Sequence, residues 1–380
     1  MKYITIDNAH PYYPYYRTRL QSPRVIRGLQ HEQTDHHSRR SGFLFLQLAL
    51  YAHCLCTSGQ CSRTNHSRFT GAEALFLWIY TFHMPLFVWV TGYFARHTLK
   101  GASGRNVLIQ IALQYLLFQS LYAIMDFTVF HTPHMRLSFF APYLLLWFLA
   151  SHFCWRLLLR LTLYWKPIYR LLVAVMLGVC AGYLPMDGFW LSFSRTFVFL
   201  PFFVIGYDYG ASIRSRLRSG WGRRIAATLS AALLGWIGLG GFNISPGWLL
   251  GSMTYAELGH HEWFAGIYRL GIYSLEIGSG ALFLAWVPSL TSRLTDLGRR
   301  TLYVFLLHGF LVRLAVWSGV YNYIETSLYI PVIVSIALLF AITLAHPAVR
   351  HAFRPLIEPD ISRVHFNRQG GLKRPASWFR

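Results

Sequence analysis

Long, unbroken apolar stretches fill this chain from residue 72 to residue 346, separated by short polar loops. They cover 72–95, 107–130, 141–161, 168–185, 194–211, 225–242, 266–288, 301–320 and 328–346. Many approach the roughly 20 apolar residues that a helix needs to cross a bilayer. The runs are continuous rather than alternating, and they are too long for barrel strands. The pattern predicts an all-α polytopic membrane helix bundle with nine transmembrane helices. A tenth run at 43–57 is short for a span and carries Gln47 and His53.

Three regions follow: an atypical N-terminal region (1–71), the bundle (72–346) and a basic tail (347–380). Residues 10–42 are rich in His, Arg and Tyr and show no sustained helical periodicity. The first apolar stretch lies too far from the N-terminus to be the core of a secretory signal.

Composition agrees with the pattern. The chain is 54% hydrophobic and only 13% charged, against about 25% charged for a soluble domain. A net charge of +21 raises the possibility of nucleic-acid binding. However, the Lys and Arg residues concentrate in every second loop: Arg96, Lys100 and Arg105; Arg156, Arg160, Lys166 and Arg170; Arg214, Arg216, Arg218, Arg223 and Arg224; and Arg293, Arg299, Arg300, followed by the tail. The alternate loops are poorer in them and contribute Asp126, Asp187, Glu257, Glu262 and Glu325. Positive charge marks the cytoplasmic side, so the C-terminus is expected inside and the bilayer, not nucleic acid, is the expected partner. If 43–57 crosses as well, both termini are cytoplasmic.

The five cysteines are scattered. His53-Cys54-x-Cys56, with Cys61 and His66, fits no standard zinc spacing, and no metal site is expected. Cys154 and Cys180 lie in apolar runs and read as buried thiols.

Ionisable residues inside spans are costly and mark sites by default. His83 stands just before Met84-Pro85, and His308 lies within Leu306-Leu307-His308-Gly309. Two readings are open for His83: a ring bonded to a carbonyl freed by the proline, or a pocket-lining group. His308 is likewise either a satisfied interior histidine or a site residue. Arg195 and Arg269 lie near outer span ends, where they either snorkel to the interface or face the bundle and bind an acidic or hydroxyl-rich ligand. In the long outer loop 243–265, residues 248–255 read as a re-entrant or interfacial segment. Glu257, His260, His261 and Glu262 read as a solvated cluster.

Four separated segments together resemble the acyltransferase 3 family of integral membrane acyltransferases, in particular its fucose 4-O-acetylase-like branch. They are Phe82-His83-Met84-Pro85-Leu86-Phe87 with Thr91-Gly92-Tyr93-Phe94, where the family usually has Ser-Gly; Leu145-Leu146-Trp147-Phe148-Leu149 with Trp155-Arg156; Ser194-Arg195-Thr196-Phe197 with the run from Phe199 to Tyr207; and Leu297-Gly298-Arg299-Arg300-Thr301-Leu302-Tyr303 with Leu306-Leu307-His308-Gly309. The resemblance implies ten helices in the plasma membrane with both ends cytoplasmic. It also implies transfer of an acyl group, usually acetyl, from cytoplasmic acyl-CoA to a hydroxyl of a cell-surface or extracellular glycan or a lipid-linked sugar, with no bound cofactor. On that basis His83, His308 and His53 are the catalytic candidates. Arg96, Lys100 and Arg105 are candidates for the CoA phosphates, and Arg195 and Arg269 for the acceptor.

The chain departs from the family at its start. Residues 1–9 resemble the usual lead-in, but the apolar first helix that should follow is replaced by His10-Pro11-Tyr12-Tyr13-Pro14-Tyr15-Tyr16-Arg17 and a polar stretch. Either residues 10–70 are an out-of-frame translation, or 43–57 is a divergent first helix in which His53 takes the family histidine's place. The rival functions are a glycan or small-solute transporter, against which stands the absence of repeated spans, and an inactive copy.

Overall fold

A computed structural model describes residues 71–131, 138–184, 192–217, 219–238, 244–286, 300–319 and 330–359. His53 and the short run at 43–57 lie outside these residues, as do Asp187, Arg293, Arg299, Glu325 and most of the tail. Every element among the described residues is helical.

In chain order these are α1 (Gly71–Thr98), α2 (Gly101–Thr128), a 3-10 turn at Leu144–Leu146, α3 (Trp147–Leu161), α4 (Pro167–Ala181), α5 (Phe193–Leu217), α6 (Gly220–Gly238), the short α7 (Pro246–Leu250), α8 (Gly266–Trp286), α9 (Thr301–Trp317), α10 (Ile330–Leu344) and α11 (Pro347–Ile357). Each of the nine apolar stretches therefore contains a helix. Prolines at 167, 246 and 347 open α4, α7 and α11, where the missing N–H has no helical partner to lose. By length and hydropathy, α2 and α5 are each sufficient to cross a membrane. Ser335–Leu344 and Pro347–Ile357, bent by 64°, make a third if they act as one broken span. Helices such as α4, with 15 residues, are about 22 Å long at 1.5 Å per residue, less than a bilayer core of about 30 Å.

The centre of the bundle is the crossing of α1 and α5. A Cβ at Gly92 would strike the carbonyl of Phe203, and one at Gly206 would strike the carbonyl of Trp89. Two glycines thus bring the backbones together, the usual device for close helix packing in an apolar solvent.

Both central helices are interrupted by a proline, Pro85 in α1 and Pro201 in α5. A helical proline frees the carbonyl four residues earlier. For Pro85 that is the carbonyl of Thr81, and it accepts a 2.9 Å hydrogen bond from Ser279 Oγ of α8. Around Pro201, the carbonyls of Thr196 and Val198 accept from Trp155 Nε1 of α3 at 2.6 Å and from the Tyr273 hydroxyl of α8 at 2.8 Å. The freed carbonyl at Pro85, and carbonyls flanking the turn before Pro201, therefore tie helices together.

Several charges read from sequence as loop signals are inter-helix ties. Arg156 and Arg160 lie in α3 and donate to Thr98 and Leu99 at the end of α1. Arg170 of α4 forms a two-pronged pair with Asp208 of α5, at 3.1 and 2.6 Å. Asp126, expected among the outer acidic residues, is buried in α2 and pairs with Arg313 of α9 at 2.9 Å. The thiols also differ from expectation: Cys154 is half-buried and Cys180 is exposed, because that face of α4 points away from the other helices. Within the basic tail, α11 packs back on the bundle, with Ile357 buried and its carbonyl accepting from Gln114 at 2.6 Å.

Candidate active site

His83 is fully buried on α1, nine residues, about two and a half turns, before Gly92 at the α1–α5 crossing. The carbonyl freed by Pro85 accepts from Ser279 and receives no bond from this histidine. Among the described residues, neither ring nitrogen of His83 has a hydrogen-bond partner. Buried polar atoms are almost always paired, so two orphan nitrogens on one imidazole require an explanation.

His308 is also fully buried, on α9. Its Nδ1 lies 2.8 Å from the Val304 carbonyl. A carbonyl can only accept, so Nδ1 carries the proton and Nε2 is the lone-pair nitrogen. Next to it, Gly309 leaves room for the Tyr122 hydroxyl, which a Cβ would displace. Tyr122 in turn donates to the Leu306 carbonyl at 3.3 Å and stacks on Phe310 at 4.1 Å. Helix α9 is thereby pinned to α2 at the level of His308.

The two histidines belong to one cluster and interact electrostatically. The His83 ring lies 5.9 Å from Phe87, the His308 ring 6.2 Å from Phe305, and those two phenyl rings are 6.3 Å apart. Phe148 of α3 completes the group, at 5.4 Å from Phe87 and 5.5 Å from Phe305. Beside it, the Arg195 guanidinium of α5 lies 5.0 Å over the Trp147 ring, with its Nε buried and unpartnered. Tyr80, 6.2 Å from His83, links the histidine to Arg195, with which it interacts electrostatically. Four segments distant in sequence, represented by His83, Trp147-Phe148, Arg195 and Phe305-His308, thus meet in one place.

Arg269 of α8 does not snorkel. It is fully buried, Nη1 donates to the Trp248 carbonyl at 2.6 Å, and its plane lies 5.1 Å over the Trp248 ring. Trp248 and Tyr255, stacked at 5.4 Å, bury the segment expected to be re-entrant or interfacial. Tyr80 packs in the same apolar cluster, which ties this pocket to the histidines. Arg96, Lys100 and Arg105 are exposed and separate from the cluster. Thirteen residue steps of helix, about 20 Å, separate His83 from Arg96. In the outer loop, Glu257 is bound to Thr254 N at 2.7 Å, and His260 lies 3.5 Å from Glu262. Glu257 is therefore held locally, whereas His260 Nδ1 has no hydrogen bond among the described residues.

Two sets of polar residues escaped the sequence reading. Glu276 of α8 is fully buried, and neither carboxyl oxygen has a hydrogen-bond partner among the described residues. The signal was its position seven residues after Arg269, two helical turns on the same face. His152 accepts from Arg156 Nε at 3.1 Å, an i, i+4 pair visible in the sequence. Among the described residues, no group of three or more His, Cys, Asp or Glu side chains is arranged to hold a metal ion.

No curated protein and no solved structure matches the chain. A family model does: the acyltransferase domain of the acyltransferase 3 family covers residues 59–346 of the 380. Its end coincides with the break between α10 and α11, and it contains every residue of the histidine cluster. The chain belongs to the acyltransferase 3 family.

Proposed function

We propose that this chain is a multi-pass O-acyltransferase of the plasma membrane. It moves an acetyl or similar acyl group from cytoplasmic acyl-CoA to a hydroxyl of a cell-surface or extracellular glycan, or of a lipid-linked sugar, as in the fucose 4-O-acetylase-like branch. The nine apolar helices then all cross or enter the bilayer, with the C-terminus in the cytoplasm. The observation that carries this reading is the buried pair His83 and His308, held together by Phe87, Phe148 and Phe305.

A histidine lone pair takes the proton of the acceptor hydroxyl. The oxygen attacks the thioester carbonyl, the C–S bond breaks, and the CoA thiolate leaves and is protonated. His83, with both nitrogens unbonded among the described residues, suits contact with substrate; His308, with Nδ1–H held by Val304, suits the part of a base of fixed tautomer. The phenyl rings around them limit competing hydrolysis by keeping water out. Arg96, Lys100 and Arg105 are assigned to the CoA phosphates, and the 20 Å or so of helix to His83 suits the extended pantetheine arm. Arg195 and Arg269 are assigned to the acceptor.

Membranes containing this chain, given labelled acetyl-CoA, should yield O-acetylated glycan. Export of glycan without acetylation would favour the transporter reading, and neither activity would mark an inactive copy.

A further inference from the structure

The proposed reaction gives no part to His152 of α3. Its Nε2 accepts from Arg156 Nε at 3.1 Å. A guanidinium can only donate, so the ring is held as the tautomer with its proton on Nδ1. Among the described residues Nδ1 has no hydrogen-bond partner, yet it is not one of the polar atoms sealed from solvent. The ring is only half-buried although protein surrounds it on all sides. Accessible surface within surrounding protein faces an internal space. His152 therefore presents one fixed donor to a gap between the helices.

Neighbouring side chains fix where that gap lies. The His152 ring is 6.0 Å from Phe148 and 6.0 Å from Phe203 of α5. Helices α1 and α3 run in the same direction, since Phe87 meets Phe148 and, further along both, Thr98 meets Arg156. His83 stands one turn before the level of Phe87 and His152 one turn after that of Phe148, which places them about 12 Å apart along the bundle. Thr98, which holds Arg156, lies between Arg96 and Lys100. His152 thus stands between the residues assigned to the CoA phosphates and the histidine pair.

We infer that His152 binds the pantetheine arm of acyl-CoA, its Nδ1–H donating to an amide carbonyl of the arm, with Arg156 as the positioning residue that fixes the ring. The arm carries two amide groups between the thioester sulfur and the phosphates. With the thioester at the histidine pair and the phosphates at the basic loop, an amide carbonyl, not the reacting carbonyl, falls at the level of His152. A neutral donor suits a neutral carbonyl, and Phe148 and Phe203 offer apolar contact to the methylene carbons on either side. This inference rests on the acyl-CoA reading above and deepens it by naming where the arm is held.

The full chain in lipid nanodiscs can be titrated by calorimetry with CoA and with adenosine 3′,5′-bisphosphate, which keeps the nucleotide end but lacks the arm. His152→Gln retains an acceptor for Arg156 at the Nε2 position and removes the Nδ1 donor. His152→Asn retains a donor at the Nδ1 position and removes the acceptor. His152→Gln should weaken CoA about fivefold and leave the bisphosphate unchanged. His152→Asn should keep wild-type CoA affinity even where its melting temperature falls with the lost tie to Arg156. Unchanged CoA affinity in His152→Gln, an equal loss for the bisphosphate, His152→Asn as weak as His152→Gln, or no CoA binding by wild type would each overturn the site. Labelled acetyl transfer by wild-type membranes is scored separately. Transfer with unchanged CoA affinity in His152→Gln would remove only the site; CoA binding that His152→Gln weakens, without transfer, would leave the site and remove the acyltransferase reading.

Discussion

Arg170 and Asp208 meet face to face between α4 and α5, with two short hydrogen bonds and no polar atom of the carboxylate left over. Arg269 and Glu276, also buried, stay apart, and His83 nearby has no partner for either nitrogen among the described residues. The first arrangement lies at the end of the bundle where Arg156 and Arg160 also tie α3 to α1. The second lies toward the other end, among Trp248, Tyr80 and the phenyl cluster. Closed pairs spend their polar capacity on the fold. Open groups cost folding energy, and a protein retains them where a ligand completes the bonding.

That contrast gives mutations opposite signatures at the two ends. The largest effect on turnover is expected from His83→Ala or His308→Ala. Loss of a general base typically costs about 10²–10⁴-fold, so label incorporated into glycan should fall to background. The melting temperature of His83→Ala should not fall, since no protein hydrogen bond is lost. Asp208→Ala should do the reverse, leaving Arg170 buried and unpaired at a cost of about 3–5 kcal/mol. Thermal unfolding in detergent would show this as an early loss of monodisperse protein.

Smaller again is Gly206→Ala, which forces α5 away from the Trp89 carbonyl of α1. Overpacking of this kind costs about 1–3 kcal/mol, read as a lowered melting temperature. The smallest effect is expected from Arg96→Ala, Lys100→Ala or Arg105→Ala. These side chains are exposed, so stability should hold while the KM for acyl-CoA rises severalfold. Because exposed charges are screened, added salt should erase that difference.

Much of the fold was legible in the sequence, because every helix except the short α7 and the basic α11 is written as a long apolar run. The site was partly legible. His83 and His308 stood out as ionisable groups in apolar company, and the structure brings them together. Glu276 was equally out of place between Leu275 and Ile277, but its meaning lies in what it fails to reach, which needs coordinates. Arg156, Arg170 and Asp126 were misread for a related reason. Charge counting treats a residue near a span end as a topology signal, whereas these side chains turn inward to carbonyls and carboxylates of neighbouring helices. His53 and the first helix that the family pattern requires lie outside the described residues.

The most direct test compares wild type, His83→Ala and Asp208→Ala in one experiment, measuring transfer from labelled acetyl-CoA to glycan and melting temperature on the same membranes. The account predicts that His83→Ala is as stable as wild type and transfers nothing, while Asp208→Ala unfolds early and loses transfer only in proportion to the folded protein lost. Wild-type transfer by His83→Ala, or a fall in its stability matching that of Asp208→Ala, would contradict it.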